Sequence, residues 1–259
     1  MDWQTEIETA AARIAGHVQV TPVMDSAVLS QRPVALKLEQ LQHMGSFKTR
    51  GAFNTLAGSD VPGAGVVAAS GGNHGAAVAY AARQLGYGAQ IFVPEIAGPS
   101  KIALIERSGA ALTVVPGEYA DAAQAARDYE DSTGAMQVHP YDAPLTVAGQ
   151  GTCFREWDAQ GLDADTVLIA VGGGGLIAGA LAHWQGRRKV LAVEPETSSA
   201  LHAAMKAGAL VDVTVSGVAA NALGARRIGS ICFDLARAHD VQSITVPDHA
   251  ITEAQLALW

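Results

Sequence analysis

Short apolar segments alternate with helical segments along most of this sequence, and that alternation constrains the fold more than any other feature. Residues 66–69, 89–94 and 111–115 are apolar runs of strand length, and each precedes a segment with helical spacing before a further strand at 136–139. Strands that are joined through helices run parallel to one another. This part of the chain therefore predicts a parallel sheet buried between helices.

The alternation resumes after a break at residues 140–144, where two prolines stop both helices and strands. The next helix is expected to begin at Val147, and strands are predicted at 166–171, 189–193 and 241–246, again with helices between them. The predicted fold class is therefore α/β with mostly parallel sheets.

Composition excludes several classes of protein. Of the 259 residues, 49% are hydrophobic and 16% are charged, which is typical of a globular chain. The formal net charge is −8 and no block of Lys or Arg interrupts it, so we expect no nucleic-acid partner. The sequence shows no signal-peptide pattern and no apolar run of the ~18 residues that a membrane span needs. We therefore expect a cytoplasmic protein without a membrane partner.

Metal-ligand spacing is missing as well. The 8 histidines are scattered, with no pair four residues apart on a helix, and Cys153 and Cys232 stand alone. We expect no metal site and two reduced thiols.

Four consecutive glycines, residues 172–175, follow the strand at 166–171 and precede a helix. At such a turn the backbone N–H groups face outward, and the missing side chains let a phosphate approach closely. A flexible linker is the alternative, but linkers rarely separate a buried strand from a helix. The same run also fits a dinucleotide-binding pattern that ends at Ala178, with Glu194 after the next strand. A nicotinamide-dependent oxidoreductase is therefore a competing interpretation.

A second strand-to-helix turn, residues 70–75, reads SGGNHG. Its backbone N–H groups could hold a carboxylate, and the amide of Asn73 could bond a phenolic oxygen. An ordinary helix N-cap supplied by Ser70 or Asn73 explains the same residues equally well.

A lysine set between small residues is the candidate reactive group. Residues 45–52 read GSFKTRGA, after a predicted helical turn at 26–31 and a strand at 34–39, and a helix is predicted over 49–56. Lys48 therefore lies near a helix N-terminus, where the positive dipole and partial burial lower the pKa of an amine. By itself the pattern also fits a solvated surface lysine.

Together these turns resemble the threonine dehydratase and serine racemase group of fold-type II pyridoxal-phosphate enzymes, whose fold is similar to that of the tryptophan synthase β subunit. The matching segments occur in the family order across nearly the whole chain. They are residues 45–52, 70–75, 139–142, 149–152, 171–176 and 193–195.

The resemblance implies two domains and a set of site residues. A larger domain of residues 1–58 and 146–259 is expected to bind the cofactor, and a smaller domain of residues 59–145 is expected to close over it. Lys48 is expected to hold pyridoxal 5′-phosphate as a Schiff base and, once released, to remove the substrate's Cα proton. The remaining expected contacts are Phe47 on the cofactor ring, Asn73 on its O3′ atom, Gly172, Gly173, Gly174, Gly175 and Leu176 on its phosphate, and Ser70, Gly71, Gly72 and His74 on the substrate carboxylate.

The implied activity is that of a lyase, in a chain expected to form a homodimer. It is a dehydratase that converts L-serine, L-threonine or a similar β-hydroxy amino acid to a 2-keto acid and ammonia. Racemases of the group carry a Ser where this chain has Gly71, and this departure favours elimination over racemisation. A racemase and an inactive protein that only binds the cofactor remain alternatives.

Two further departures from the family pattern concern a metal site and the chain end. Some members bind a divalent cation through three ligands whose counterparts are Glu194, Ser198 and Ala200, and alanine cannot serve as the third. The last predicted helix, residues 251–259, ends without a capping residue, and a Ser/Gly-rich turn of the family does not follow it. We therefore expect a chain truncated at its C-terminus.

Overall fold

A computed structural model describes residues 1–26 and 32–258. The N-terminal part forms helix α1 (Trp3–Arg13) and an antiparallel hairpin of strands β1 (Val23–Ser26) and β2 (Val34–Lys37). The predicted elements do not include β1, because the adjacent Pro22 indicated a break. Ser26 ends β1, and the rest of the helical turn predicted at 26–31 lies outside the described residues. Two 3₁₀ turns then lead into helix α2 (Lys48–Ala57).

The first parallel sheet forms where the alternation predicts it. Strands β3 (Val66–Ala69), β4 (Ala89–Pro94), β5 (Ala111–Val115) and β6 (Met136–Gln137) are arranged in the order β5-β4-β3-β6. Strand β6 ends two residues earlier than predicted, because the chain turns away from β3 after one further hydrogen bond from the N–H of residue 138. The connecting helices are α3 (Asn73–Leu85), α4 (Pro99–Arg107) and α5 (Tyr119–Thr133).

A second parallel sheet follows with the order β7-β8-β9, formed by Thr166–Ala170, Lys189–Pro195 and Gln242–Val246. The helix before it begins at Pro144 rather than at Val147, because proline is favourable in the first turn, where its missing N–H has no partner to lose. The helices of this half are α6 (Pro144–Ala159), α7 (Gly175–Trp184), α8 (Ala200–Ala207), α9 (Ala220–Leu223), α10 (Ser230–Ala238) and α11 (Asp248–Ala257). The predicted α/β class with parallel sheets is confirmed.

Helix α6 fixes the distance between the two helices that matter most for the site. Its Gly149 meets α2 so closely that a Cβ there would lie 2.7 Å from the Cα of Gly51. Two residues further on, on a different side of α6, the N atom of Gly151 would lie 2.6 Å from a Cβ on Gly179 of α7. Only glycine allows backbones to approach to this extent. Lys48 and the glycine turn are therefore both positioned by α6.

Within the described ranges, no helix combines the length and the apolar character needed to cross a bilayer.

Candidate active site

The predicted lysine and the turn at 70–75 meet at one short segment, residues 138–142, which follows β6. The Nζ atom of Lys48 donates a hydrogen bond to the carbonyl oxygen of Pro140 at 2.7 Å. His74 is buried at the start of α3, and its Nε2 atom lies 2.8 Å from the carbonyl oxygen of Val138. Side chains from residues 48 and 74 are thus held against neighbouring carbonyl groups of the same segment.

The same segment also contacts the glycine run. A Cβ on Gly173 would come within 2.5 Å of the Cε1 atom of Tyr141, and a Cβ on Gly175 would lie 3.0 Å from the Cα of Tyr141. On the other side of the turn, a Cβ on Gly174 would lie 2.6 Å from the Sγ atom of Cys232. The turn is therefore packed between neighbours, and the linker interpretation of the glycines is wrong.

Lys48 is the first residue of α2, and its surroundings favour the neutral amine. Burial lowers the pKa of Lys48 to about 8. Its acceptor is a neutral carbonyl group, and no carboxylate pairs with it among the described residues. The Nζ atom lies 5.4 Å from the ring centroid of Phe47, the preceding residue. A partly buried amine of this kind is neutral often enough near pH 8 to attack an aldehyde.

Two imidazoles beside Lys48 are uncharged. Burial, together with the nearby Lys48, lowers the pKa of His74 to about 3. Because a carbonyl oxygen can only accept, the Nε2 atom of His74 carries the proton. Burial and Lys48 also lower the pKa of His139, although Asp142 opposes them. Neither ring adds a positive charge to the space around the lysine.

Helices α3 and α7 begin at the site, and no side chain in the described part of the protein caps either of them. Their N-cap residues are Gly72 and Gly174, and the latter has a φ of 92°, a left-handed conformation that glycine adopts without strain. Ser70 and Asn73 do not cap α3: the Ser70 hydroxyl accepts only the N–H of Gly72, at 3.2 Å, and the side chain of Asn73 is exposed. The N-cap interpretation of the 70–75 turn is therefore wrong.

Other helices show what a filled N-terminus looks like in this protein. Carboxylates accept backbone N–H groups at the starts of α1, α5, α8 and α10; they belong to Asp2, Glu118, Glu194 and Asp142. At α3 and α7 the equivalent N–H groups remain available to an external anion. These two helix starts fit a carboxylate and a phosphate, which the predicted substrate and cofactor would bring.

Glu194 caps the start of α8, and this role is incompatible with the ribose contact that the dinucleotide interpretation requires. It is completely buried and accepts the N–H groups of Leu201 and His202, each at 2.8 Å, and the hydroxyl of Ser243 at 2.8 Å. Burial raises the pKa of Glu194, although the three hydrogen bonds act to lower it. Its oxygens are committed to the start of α8, so they cannot receive a ribose.

Sequence reasoning missed two parts of this region. Residues 139–142 were matched only as a motif, whereas the structure shows them contacting Lys48, the glycine turn and the start of α10. Arg50 was given no role, yet it is buried and bridges Glu39 and Glu156. The signals were present in a His-Pro pair directly after a strand and in a charged residue within an otherwise buried helix.

Comparisons with known proteins agree with one another. Residues 14–259 match the family described as pyridoxal-phosphate dependent enzyme. The chain is 34% identical over 261 residues to an L-threonine ammonia-lyase of Thermotoga maritima, an alignment that covers 98% of this chain and 65% of that relative. The chain thus spans just under two thirds of that relative's length.

Solved structures give the same result. A T.th. threonine deaminase has a TM-score of 0.92 and 33% identity, covering 98% of this chain and 85% of that one. A maize serine racemase has a TM-score of 0.90 and 31% identity, covering 98% of this chain and 79% of that one.

Proposed function

This chain belongs to the family of pyridoxal-phosphate-dependent enzymes, and we propose that it removes water from L-threonine, L-serine or a similar β-hydroxy amino acid, giving a 2-keto acid and ammonia. The observation that carries this proposal is the position of Lys48. This amine, whose pKa is lowered to about 8, bonds the segment of residues 138–142, and the same segment contacts the starts of α3 and α7. Neither helix start has a side-chain cap among the described residues. An aldehyde-reactive lysine next to two anion sites suits a phosphorylated aldehyde and an amino acid.

The residues present fit the cofactor. A Cβ at Gly173 would meet the ring of Tyr141, so this turn offers a ligand its backbone and no side chain, and the start of α7 has no side-chain cap among the described residues. We assign the phosphate to Gly172, Gly173, Gly174, Gly175 and the N–H of Leu176, the ring to Phe47 and its O3′ atom to Asn73. When bound, the cofactor supplies an aldehyde for the substrate amine and a conjugated ring that takes up electrons from Cα.

The protein's own part in the reaction is the movement of a proton. We propose that Ser70, Gly71, Gly72 and His74 bind the substrate carboxylate at the start of α3, which fixes the direction of the Cα–H bond. Neutral Lys48 then accepts the Cα proton at Nζ. The hydroxyl leaves with the C–O electron pair and takes that proton to become water, so Lys48 returns to its neutral form.

Gly71 favours elimination over the racemase alternative. A Cβ at this position would overlap the Cβ of Ala97 and would lie 3.1 Å from the Cγ1 of Val93. The serine that the racemases carry there therefore has no space in this chain. Without a second group on the opposite face of Cα, a proton cannot be returned with inverted stereochemistry.

We also propose two domains, a larger one of residues 1–58 and 146–259 and a smaller one of residues 59–145. The proposal further includes a homodimer and a cytoplasmic location. The division is supported by the two sheets, since all strands of one lie between Val66 and Gln137 and all strands of the other between Thr166 and Val246. Light scattering of the purified protein measures the oligomeric state, and a monomer at micromolar concentration would contradict the dimer.

The decisive experiment measures keto acid and ammonia release from L-threonine, L-serine and 3-hydroxyaspartate, with pyridoxal phosphate supplied. Borohydride reduction before digestion should attach the cofactor to the peptide that contains Lys48, and Lys48→Ala should abolish both label and activity. The exposed Lys206 provides the control, because Lys206→Ala should change neither. Cofactor bound at Lys48 without ammonia from any substrate would instead identify a protein that only binds the cofactor.

A further inference from the structure

One ring nitrogen of His139 accepts hydrogen bonds, and the other has no hydrogen-bond partner among the described residues. Its Nδ1 atom accepts the backbone N–H of Asp142 at 2.8 Å and that of Tyr141 at 3.3 Å. A nitrogen that accepts N–H groups carries no proton, so the neutral ring holds its proton on Nε2. Among the residues that the structure describes, no acceptor bonds this N–H, and the atom is not sealed from solvent.

The free N–H belongs to the site. His139 follows β6, which pairs with β3, the strand that leads into the 70–75 turn. The next residue, Pro140, accepts the hydrogen bond from Lys48. The ring also interacts electrostatically with both Lys48 and His74. The ring with the unpaired donor therefore belongs to the segment that bonds both the proposed catalytic amine and His74 of the proposed carboxylate site.

The chemistry of the proposed substrate indicates what this donor binds, and the inference rests on the proposed function. A β-hydroxy amino acid brings an amine, a carboxylate and a hydroxyl. The amine reacts with the aldehyde, and the carboxylate matches the open N–H groups of α3. The hydroxyl remains without a partner, and buried hydroxyl groups need one.

We propose that His139 donates a hydrogen bond from Nε2 to the β-hydroxyl of the substrate. As the C–O bond breaks, its electron pair leaves with the oxygen, and a hydrogen bond to that oxygen strengthens as its negative charge grows. The proton that completes the water is the one that Lys48 took from Cα, so His139 keeps its own. An uncharged donor suits this task, because a cation would compete for the substrate carboxylate.

Two variants and two substrates test the proposal. His139→Asn keeps an acceptor near the Nδ1 position for the backbone of residues 141 and 142 but removes the distal donor, whereas His139→Gln presents an amide N–H near the Nε2 position. L-Serine and β-chloro-L-alanine both give pyruvate, but chloride leaves without needing a hydrogen-bond donor. We expect His139→Asn to lower kcat/KM for serine by roughly tenfold or more and that for chloroalanine by less than about twofold. His139→Gln should recover part of the serine activity.

A measurement without turnover gives a second readout. In the protein free of cofactor and substrate, nitrogen-15 NMR of the His139 ring should show a bare Nδ1 and a protonated Nε2. A proton on Nδ1, or an equal loss for both substrates in His139→Asn, would overturn this inference alone. If the wild-type protein releases pyruvate from neither substrate, the proposed function fails and the inference fails with it.

Discussion

The Nζ atom of Lys48 donates to the carbonyl oxygen of Pro140 at 2.7 Å, which joins the start of α2 to the segment after β6. A carbonyl group holds an amine in place without the negative charge that would favour its protonated form. Burial can therefore act on the amine unopposed, and it lowers the pKa of Lys48 to about 8. The hydrogen bond to Pro140 thus fixes the position of the amine, and the burial of Lys48 sets its reactivity.

The rate of cofactor uptake should follow this pKa. Only the neutral amine attacks an aldehyde, and the ordinary pKa of 10.5 would keep Lys48 charged across the physiological range. We expect the rate at which the cofactor-free protein gains its imine absorbance to rise with pH and to level off above about 8. An alkylamine in solution should keep rising beyond that pH. A protein rate that rises in parallel with the alkylamine would contradict the shifted pKa.

Replacing Gly71 should destabilise the protein through a clash with Ala97. A Cβ at residue 71 overlaps the Cβ of Ala97, and overpacking of this kind costs about 1–3 kcal/mol. We expect Gly71→Ala to lower the free energy of unfolding by that amount in urea. Gly98→Ala, at an exposed glycine with open space around it, should change the stability by less than about 0.5 kcal/mol.

The double variant Gly71→Ala with Ala97→Gly should recover most of the loss, because the competing methyl group is gone. Gly71→Ser should release no D-serine from L-serine, since the side chain has no space to reach the substrate. A stable Gly71→Ser protein that produces D-serine would show that the turn can rearrange.

The sheet elements were predictable where the signal is local. Strands β3, β4 and β5 match their predicted limits to the residue, because each is a short, mostly apolar run that lies between segments of helical spacing or turn residues. Strand β1 depends on pairing with β2 across the segment between them, so its own residues carried too little information. Local patterns therefore identified the strands of the parallel sheets but missed the hairpin.

In the candidate site, too, the local motifs were predictable and the contacts between distant residues were not. The 70–75 and 172–175 motifs were recognisable because each is a strand-to-helix turn complete in itself, and the 45–52 motif because it is one short run at the start of α2. The contacts that hold them together join distant residues: the carboxylate of Asp142 bonds the N–H of Ser230, and that of Glu156 bonds Arg50. No local pattern encodes such a pairing.

The glycine turn should recognise the phosphate of the cofactor rather than its ring. A Cβ on Gly173 comes within 2.5 Å of the ring of Tyr141, so Gly173→Ala must displace the turn or the tyrosine. We expect the Kd for pyridoxal phosphate to rise by about tenfold or more, which corresponds to about 1.4 kcal/mol. The Kd for pyridoxal, which lacks the phosphate, should be unchanged. Equal weakening for both ligands would mean that the turn acts only through the general shape of the site.

Arg50 is the centre of a buried charge network directly behind the lysine. Its guanidinium donates to Glu39 at 2.7 and 2.8 Å and to Glu156 at 2.9 and 3.0 Å, and Glu156 also accepts from Lys37. The Arg50 side chain is 1% exposed. Two carboxylates therefore depend on one guanidinium in a place that water hardly reaches.

Removing Arg50 should be much more costly than removing an exposed arginine. Arg50→Met leaves two half-buried carboxylates without their main partner, and we expect it to lower the free energy of unfolding by about 3–5 kcal/mol at pH 7. The pair of Arg155 and Glu8 is the matched control, because its side chains are 42% and 48% exposed. Arg155→Ala should cost less than about 1 kcal/mol.

The loss of unfolding free energy in Arg50→Met should also depend on pH, and the pKa of Glu156 determines whether it grows or shrinks as the pH falls. Burial alone would raise the pKa of this carboxyl, but the hydrogen bonds from Arg50 and Lys37 lower it below its ordinary value of 4.5. A carboxyl whose pKa is lower in the folded state stabilises the fold above its ordinary pKa, and this contribution disappears as pH falls through the folded value. The difference in unfolding free energy between wild type and Arg50→Met should therefore be full at pH 7 and shrink below pH 4.5. A difference that stays constant from pH 7 to pH 3 would mean that the guanidinium contributes packing rather than charge.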